Sequence, residues 1–216
     1  MHNGINLIPE ANIAVDELSK VNKKIIFLSN APRPNENVIK FLKKLKMNDK
    51  FLNYVYTSGQ AAYKSIKNKK YGDKFYHLGP PRDECLFEGI ETSKVSLENC
   101  DFILCTGLFD EKKNDLNYYE ELLRSFKKKK LICTNPDLIV DKGETREHCA
   151  GALAKIFEEL GGQVIYYGKP HDQIYNTFLT KKNKALAIGD NLRTDIKGAN
   201  NLNIDSIFIT DGVHKN

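Results

Sequence analysis

The sequence has no apolar run approaching the roughly 20 residues a membrane-spanning helix needs, and its start, Met1-His2-Asn3-Gly4, is no signal peptide. It also lacks any CxxC pattern. The cysteines are Cys85, Cys100, Cys105, Cys133 and Cys149, an odd set that reads as buried structural thiols in a reduced, cytoplasmic compartment. A nucleophilic cysteine is the alternative, but no His–Cys pairing can be read from the spacing. There is no repeat of solenoid period and no low-complexity linker. Nor does any DNA- or RNA-binding motif accompany the lysines, which fall in separate clusters: Lys67 to Lys70, Lys127 to Lys130, and Lys181, Lys182 and Lys184. The net charge of +5 is therefore read as solvated lysine on element ends, with a mild field that favours anionic small molecules over nucleic acid.

What is present is ordinary globular material. With 216 residues, 41% of them hydrophobic and 28% charged, the chain can build one core or a core with a second lobe. Strand-like and helix-like stretches alternate. Ala11, Ala14, Val15 and Leu18 mark a helix face behind Pro9, and Lys24–Leu28 is a strand ending at Ser29-Asn30. After the break at Pro32 and Pro34 a helix carries Val38, Phe41, Leu42 and Leu45. Strands follow at 54–56, 75–78, 101–105, 131–133 and 164–167. Helices fall at 60–66, around Tyr119–Phe126, and around Ala150–Phe157 with Gly161-Gly162 as a stop. A helix over Ile174, Phe178 and Leu179, a strand at 185–188, a helix from Leu192 to Asn200 and a strand at 204–209 complete the chain. The alternation predicts an α/β fold, a doubly wound and mostly parallel sheet covered on both faces. Pro80-Pro81 and Gly168-Lys169-Pro170 are the expected edges of an inserted lobe.

Three features stand at predicted carboxyl ends of strands: Ser29-Asn30, Lys169, and Asp190 with Asp195. In a doubly wound sheet such ends converge on one crevice. A hydroxyl, an amide, an ammonium and a pair of carboxylates suit a phosphoryl group and a hard cation such as Mg²⁺. Taken singly, each has a plainer reading: a turn serine, a solvated lysine, a helix N-cap.

Ile25-Ile26-Phe27-Leu28-Ser29-Asn30, Gly168-Lys169-Pro170 and Gly189-Asp190 through Asp195 resemble the second, third and fourth motifs of the haloacid dehalogenase (HAD) superfamily of phosphatases. The insert resembles the C2-type cap of class IIA, the group with the NagD-like, nitrophenylphosphatase-like and pyridoxal-phosphatase-like enzymes. Ser29–Pro34, Cys105-Thr106-Gly107-Leu108, Asn135-Pro136-Asp137 and Cys149–Ala154 are similar to one uncharacterised bacterial subgroup of that class. The resemblance implies a Rossmann-like core over residues 1–80 and 167–216 and an α/β cap over 81–166. It implies a Mg²⁺-dependent phosphomonoester hydrolase in which Ser29 and Asn30 bind the phosphoryl group and Lys169 neutralises it. Asp190 and Asp195 would hold the metal. Asn135, Pro136 and Asp137 are the expected substrate-selecting loop, with a β-turn closed by an Asx bond as the plain alternative. The implied partner is a small phosphorylated metabolite, not nucleic acid or membrane. Caps of this kind often mediate dimers, so a homodimer through the cap is a further expectation.

One motif of the family is not found. Its first motif ends a strand in an aspartate nucleophile and should lie just before Met1; the first aspartate here is Asp16, within a predicted helix. The carboxyl end, after Thr210–His214, is also shorter than in most members. Three readings follow. The chain is a fragment of an active phosphatase, or a short form that binds phosphorylated metabolites or a protein partner without turnover, or a nucleotide- or nucleic-acid-binding α/β protein.

Overall fold

The computed structural model describes residues 1–143, 145–176, 178–179 and 184–214; of the third lysine cluster, Lys181 and Lys182 lie outside the described residues. Helix α1 (Pro9–Lys20) leads to β1 (Phe27–Ser29), α2 (Asn35–Lys44), β2 (Val55–Thr57) and α3 (Ser58–Lys67). β3 (Phe75–Leu78), β4 (Phe102–Cys105), α4 (Leu116–Arg124) and β5 (Lys130–Cys133) follow. After β6 (Ile139–Lys142) and β7 (Thr145–His148) come α5 (Ala150–Glu159), β8 (Gln163–Tyr166) and the short α6 (Asp172–Tyr175). The chain closes with β9 (Leu186–Gly189), α7 (Lys197–Asn201) and β10 (Asp205–Phe208). This is the α/β fold read from the alternation, and all but one of its strand pairings are parallel.

The largest layer is a sheet in the order β3-β4-β5-β8. Successive side chains of β4 point to opposite faces. Ile103 and Cys105 join Tyr119 and Leu123 of α4 and Leu153 and Phe157 of α5 in one fully buried cluster. Phe102 and Leu104 enter a second cluster with Ala62 and Ile66 of α3 and with Leu86 and Phe87 of the 3₁₀ turn Pro81–Phe87. A sheet buried on both faces needs apolar residues at every position, and β4 is buried at all four. The segment boundary expected at Pro80-Pro81 falls inside this layer. β3 pairs residue for residue with β4, Phe75 to Phe102 through Leu78 to Cys105, so residues 75–78 belong with the four-stranded sheet. Pro80-Pro81 starts a turn in that unit because proline at the first helical positions gives up no needed N–H.

β1 and β2 form a separate parallel pair, as do β9 and β10. Packing below the first pair comes from Leu42, Met47, Leu52 and Val55, a third cluster. Among the described residues no helix is long and apolar enough to cross a membrane.

Candidate active site

Four strand ends meet in one place: β1 at Ser29-Asn30, β5 at Thr134–Asp137, β8 at Gly168-Lys169, and β9 at Gly189-Asp190. Asn30 is almost fully buried and clamps the segment after β8 at two points. The Lys169 backbone N–H donates to Asn30 Oδ1 at 2.8 Å, and Asn30 Nδ2 donates back to the Lys169 carbonyl at 3.2 Å. This approach requires glycine before the lysine. Gly168 has φ +115°, and a Cβ there would lie 2.6 Å from Asn30 Oδ1 and 2.8 Å from Pro136 Cδ. Ser29 Oγ accepts from the Ala31 N–H at 3.2 Å, holding the turn that follows β1.

Lys169 Nζ, so positioned, lies 2.7 Å from Asp195 Oδ1, with both side chains largely buried. Burial alone would depress the ammonium's pKa, but Asp195, Asp137 and Asp190 more than offset it, so Lys169 is held above its ordinary value and charged. Asp195 Oδ2 accepts from the Asn191 N–H at 3.1 Å. Its carboxylate lies so close over the end of β9 that only glycine fits: a Cβ on Gly189 would be 2.3 Å from Asp195 Cγ. Asp190 points elsewhere, with Oδ2 accepting from the Val213 N–H at 3.0 Å.

Sequence reading placed Asp137 in a substrate loop; the structure brings it into the lysine cluster itself. Asp137 Oδ1 accepts from Asn191 Nδ2 at 3.3 Å, and Asn30 and Thr194 also hydrogen-bond the carboxylate. Burial pushes its pKa up, with Lys169 pulling the other way. The plain reading of this loop holds as well, since Asn135 Oδ1 accepts from the Asp137 N–H at 3.1 Å, an Asx turn. Pro136 packs toward Gly168. Of the buried polar residues here, Asn191 and Thr194 fall within the Gly189–Asp195 stretch, whereas Ser58 was not singled out by the sequence. The single Ser58 hydroxyl proton is shared between the carbonyls of Ala31 and Thr134, tying the segment after β1 to the segment after β5.

The donors suit a hard cation in type, since Mg²⁺ takes one or two carboxylates and fills its shell with water and phosphate oxygens. Asp190 and Asp195 are the residues that fit, though Asp195 already holds Lys169. No group of three or more His, Cys, Asp or Glu that could hold a metal assembles among the described residues. Asp16 lies on α1 and pairs with Lys50 at 2.6 Å, so it does not reach this site. Three of the buried thiols are held in the protonated form: burial pushes Cys105 and Cys133 well above the usual range and Cys149 up to about 12.

Among curated proteins none matches the chain. The family described as haloacid dehalogenase-like hydrolase matches residues 1–92, and HAD-hydrolase-like matches 166–216. A solved haloacid dehalogenase-like hydrolase from Brucella suis 1330 is 32% identical, with a TM-score of 0.89, covering 99% of this chain and 85% of that one. The fold is shared more distantly with 4-nitrophenylphosphatase from Thermotoga maritima, at 24% identity and TM-score 0.73, over 98% of this chain and 84% of that one. NagD from E. coli K-12 is 21% identical with a TM-score of 0.68, over 99% of this chain and 84% of that one. With a relative this similar along nearly its whole length, and with Asn30, Lys169 and Asp195 joined at the strand ends, the chain belongs to the haloacid dehalogenase-like hydrolases.

Proposed function

We propose that this hydrolase is a Mg²⁺-dependent phosphatase of small phosphomonoesters, whose nucleophilic aspartate is supplied from outside residues 1–216. The observation that carries the reading is the Lys169–Asp195 pair clamped to Asn30. A fixed, charged ammonium beside a strand-end serine and amide is a preorganised anion site. In the proposed reaction a carboxylate oxygen of the aspartate bonds to phosphorus as the ester oxygen leaves with the bonding pair. Water then cleaves the aspartyl-phosphate and releases phosphate. Ser29 and Asn30 orient the phosphoryl oxygens, and Lys169 offsets charge on them. Bound Mg²⁺, held by Asp190 with Asp195 beside it, would supply further charge neutralisation.

The four-stranded layer with its helices serves as the C2-type cap, with Asp137 reaching from it into the phosphoryl site. The lysine clusters support the small-molecule reading over nucleic acid. Lys69 pairs with Asp73 at 3.0 Å, Lys67 and Lys70 lie over the rings of Tyr63 and Tyr71, and Lys129 donates to the carbonyls of Glu98 and Cys100.

The test has two steps. The DNA upstream of the Met1 codon should encode, in frame, an apolar strand followed by an acidic motif. The chain so extended should hydrolyse p-nitrophenyl phosphate with Mg²⁺, and Asp190→Asn should abolish that activity. A stop codon directly upstream would favour the non-catalytic binding form, and unchanged turnover in Asp190→Asn would overturn the metal assignment.

A further inference from the structure

A cavity of about 170 Å³ opens between the segment after β1 and the carboxyl ends of β3, β4 and β5. It lies beside the lysine cluster and shares two walls with it. Pro32 and Arg33 continue the segment that begins at Asn30, and Asn135 belongs to the turn that carries Asp137. Three cations line it, Arg33, Arg82 and Lys113, against two carboxylates, Asp83 and Glu147.

Arg33 is the built part. Its Nε donates to Asp83 Oδ1 at 2.6 Å, and the Asp83 side chain is 3% exposed against 35% for Arg33. Asp83 is also hydrogen-bonded by Thr106, whose Oγ1 lies 2.9 Å from Nε2 of the buried His77. A chain of polar contacts therefore runs from the sheet interior to the guanidinium. Such a buried pair is a weak device for stability. What it does is fix the guanidinium in the cavity wall, with its terminal nitrogens making no hydrogen bond among the described residues. Lys113 forms loose ion pairs with Asp110 at 3.6 Å and Glu147 at 3.8 Å, contacts that a ligand anion in the cavity can compete with.

We propose that this cavity seats the leaving group of the phosphomonoester, and that the leaving group bears a second anion, a carboxylate or a further phosphate. The proposal rests on the phosphatase reading above. Size supports it: the volume is well below the roughly 300–1,000 Å³ of pockets that take drug-sized ligands. A three- or four-carbon anionic tail fits, and a nucleoside does not. Arg33 presents its planar fork to the cavity, suited to carboxylate or phosphate oxygens, and Arg82, whose Nη1 donates to the exposed Asp110 carboxylate, keeps its other nitrogens for a ligand.

Calorimetry without Mg²⁺ on the upstream-extended chain, or on the 1–216 chain at a dilution where it stays soluble if a stop codon precedes Met1, tests this with four probes: inorganic phosphate, glycerol 3-phosphate, 3-phosphoglycerate and 1,3-propanediol bisphosphate. The two esters with a second anionic end should bind at least about tenfold tighter than glycerol 3-phosphate. That ratio should fall to within about threefold in the exposed-side double variant Arg82→Gln/Lys113→Gln. The better of the carboxylate and phosphate tails identifies the anion. A neutral tail that binds as tightly as the charged ones, or a preference untouched by the double variant, would overturn the proposal. If phosphate and all esters fail to bind, the phosphatase reading fails. The cavity is then judged by glycerate against glycerol, read from the side-chain N–H signals of Arg33 and Arg82. No glycerate-dependent shift there would sink it independently.

Discussion

Three carboxylates, Asp195, Asp137 and Asp190, favour the protonated form of Lys169 against the burial that opposes it. Removing the lysine by Lys169→Met should leave Asp195 and Asp137 with a desolvated charge and no cation beside them. Deleting one partner of a buried pair costs about 3–5 kcal/mol; the residual exposure of both side chains, 15% and 13%, brings the expected loss to about 2–3 kcal/mol. Urea melts of the two proteins measure it. A loss within about 0.5 kcal/mol, the scale of a surface pair, would mean that water already screens the cluster. His77 gives a pH-dependent counterpart. Burial, with help from Lys94, lowers its pKa from 6.5 to about 4. The unfolded chain takes up this proton near pH 6.5 and the folded chain only near pH 4. Its contribution is therefore fully present above 6.5 and is lost as pH falls toward 4, by about 3 kcal/mol at most. His77→Gln should flatten the stability profile across that window and leave it unchanged in slope above it. An unaltered slope between pH 4 and 6.5 would show that other groups set the acid limb.

At the scale of elements, most of the fold was legible because buried strands and one-sided helices write their period into the sequence. β3 was read at its observed bounds, and β4, β5 and β8 within one residue at each end. The hairpin β6–β7 was not seen, for a physical reason. Asp141-Lys142 and Thr145-Arg146-Glu147-His148 show no apolar alternation, and the pairing is carried partly by a cross-strand Arg146–Asp141 ion pair. The helix expected over 192–200 is instead a π-helical turn, Leu192–Ile196, running into α7. There the Asn191 carbonyl accepts from both Asp195 at 2.8 Å and Ile196 at 3.2 Å. That widened turn is what swings Asp195 back over Gly189 toward Lys169, a consequence of tertiary fit that no helix period reveals. Short α6 likewise covers only the start of the helix expected around Ile174. That Asn30, Lys169 and Asp195 come together was legible from their places at strand ends, but Asp137's position was not, since its neighbours Asn30 and Asn191 are distant in sequence. Gly189→Ala tests the device. Its Cβ would need Asp195 to withdraw, so stability should drop by about 1–3 kcal/mol. In Gly189→Ala the further substitution Lys169→Met should cost less than in the native chain, because the pair is already broken. Full additivity of the two would show that Asp195 stays in place.

Among the described residues the molecule has one well-buried layer, the β6–β7 hairpin, and two parallel strand pairs that remain separate. β1 and β9 lead into the residues of the proposed phosphoryl site, yet each is hydrogen-bonded on one side only among the described residues. Leu186 and Ile188 of β9 and Ile207 of β10 are 54%, 52% and 46% exposed, unlike the residues of β4, which are all buried. Unpaired edges beside exposed apolar side chains are templates for association. The 1–216 chain should therefore bind a hydrophobic dye, lose solubility with rising concentration, and show no p-nitrophenyl phosphate hydrolysis with Mg²⁺. A chain extended by an apolar strand that ends in an acidic nucleophile should lose the dye signal and gain the activity together. One strand would then both pair with the open edges and bring its carboxylate to Ser29, Lys169 and Asp190. Dye binding that vanishes without activity would separate the two roles and favour a binding protein. A soluble, dye-silent and cooperatively melting 1–216 chain would show that the two strand pairs are stable apart, and the added strand would be needed for chemistry alone.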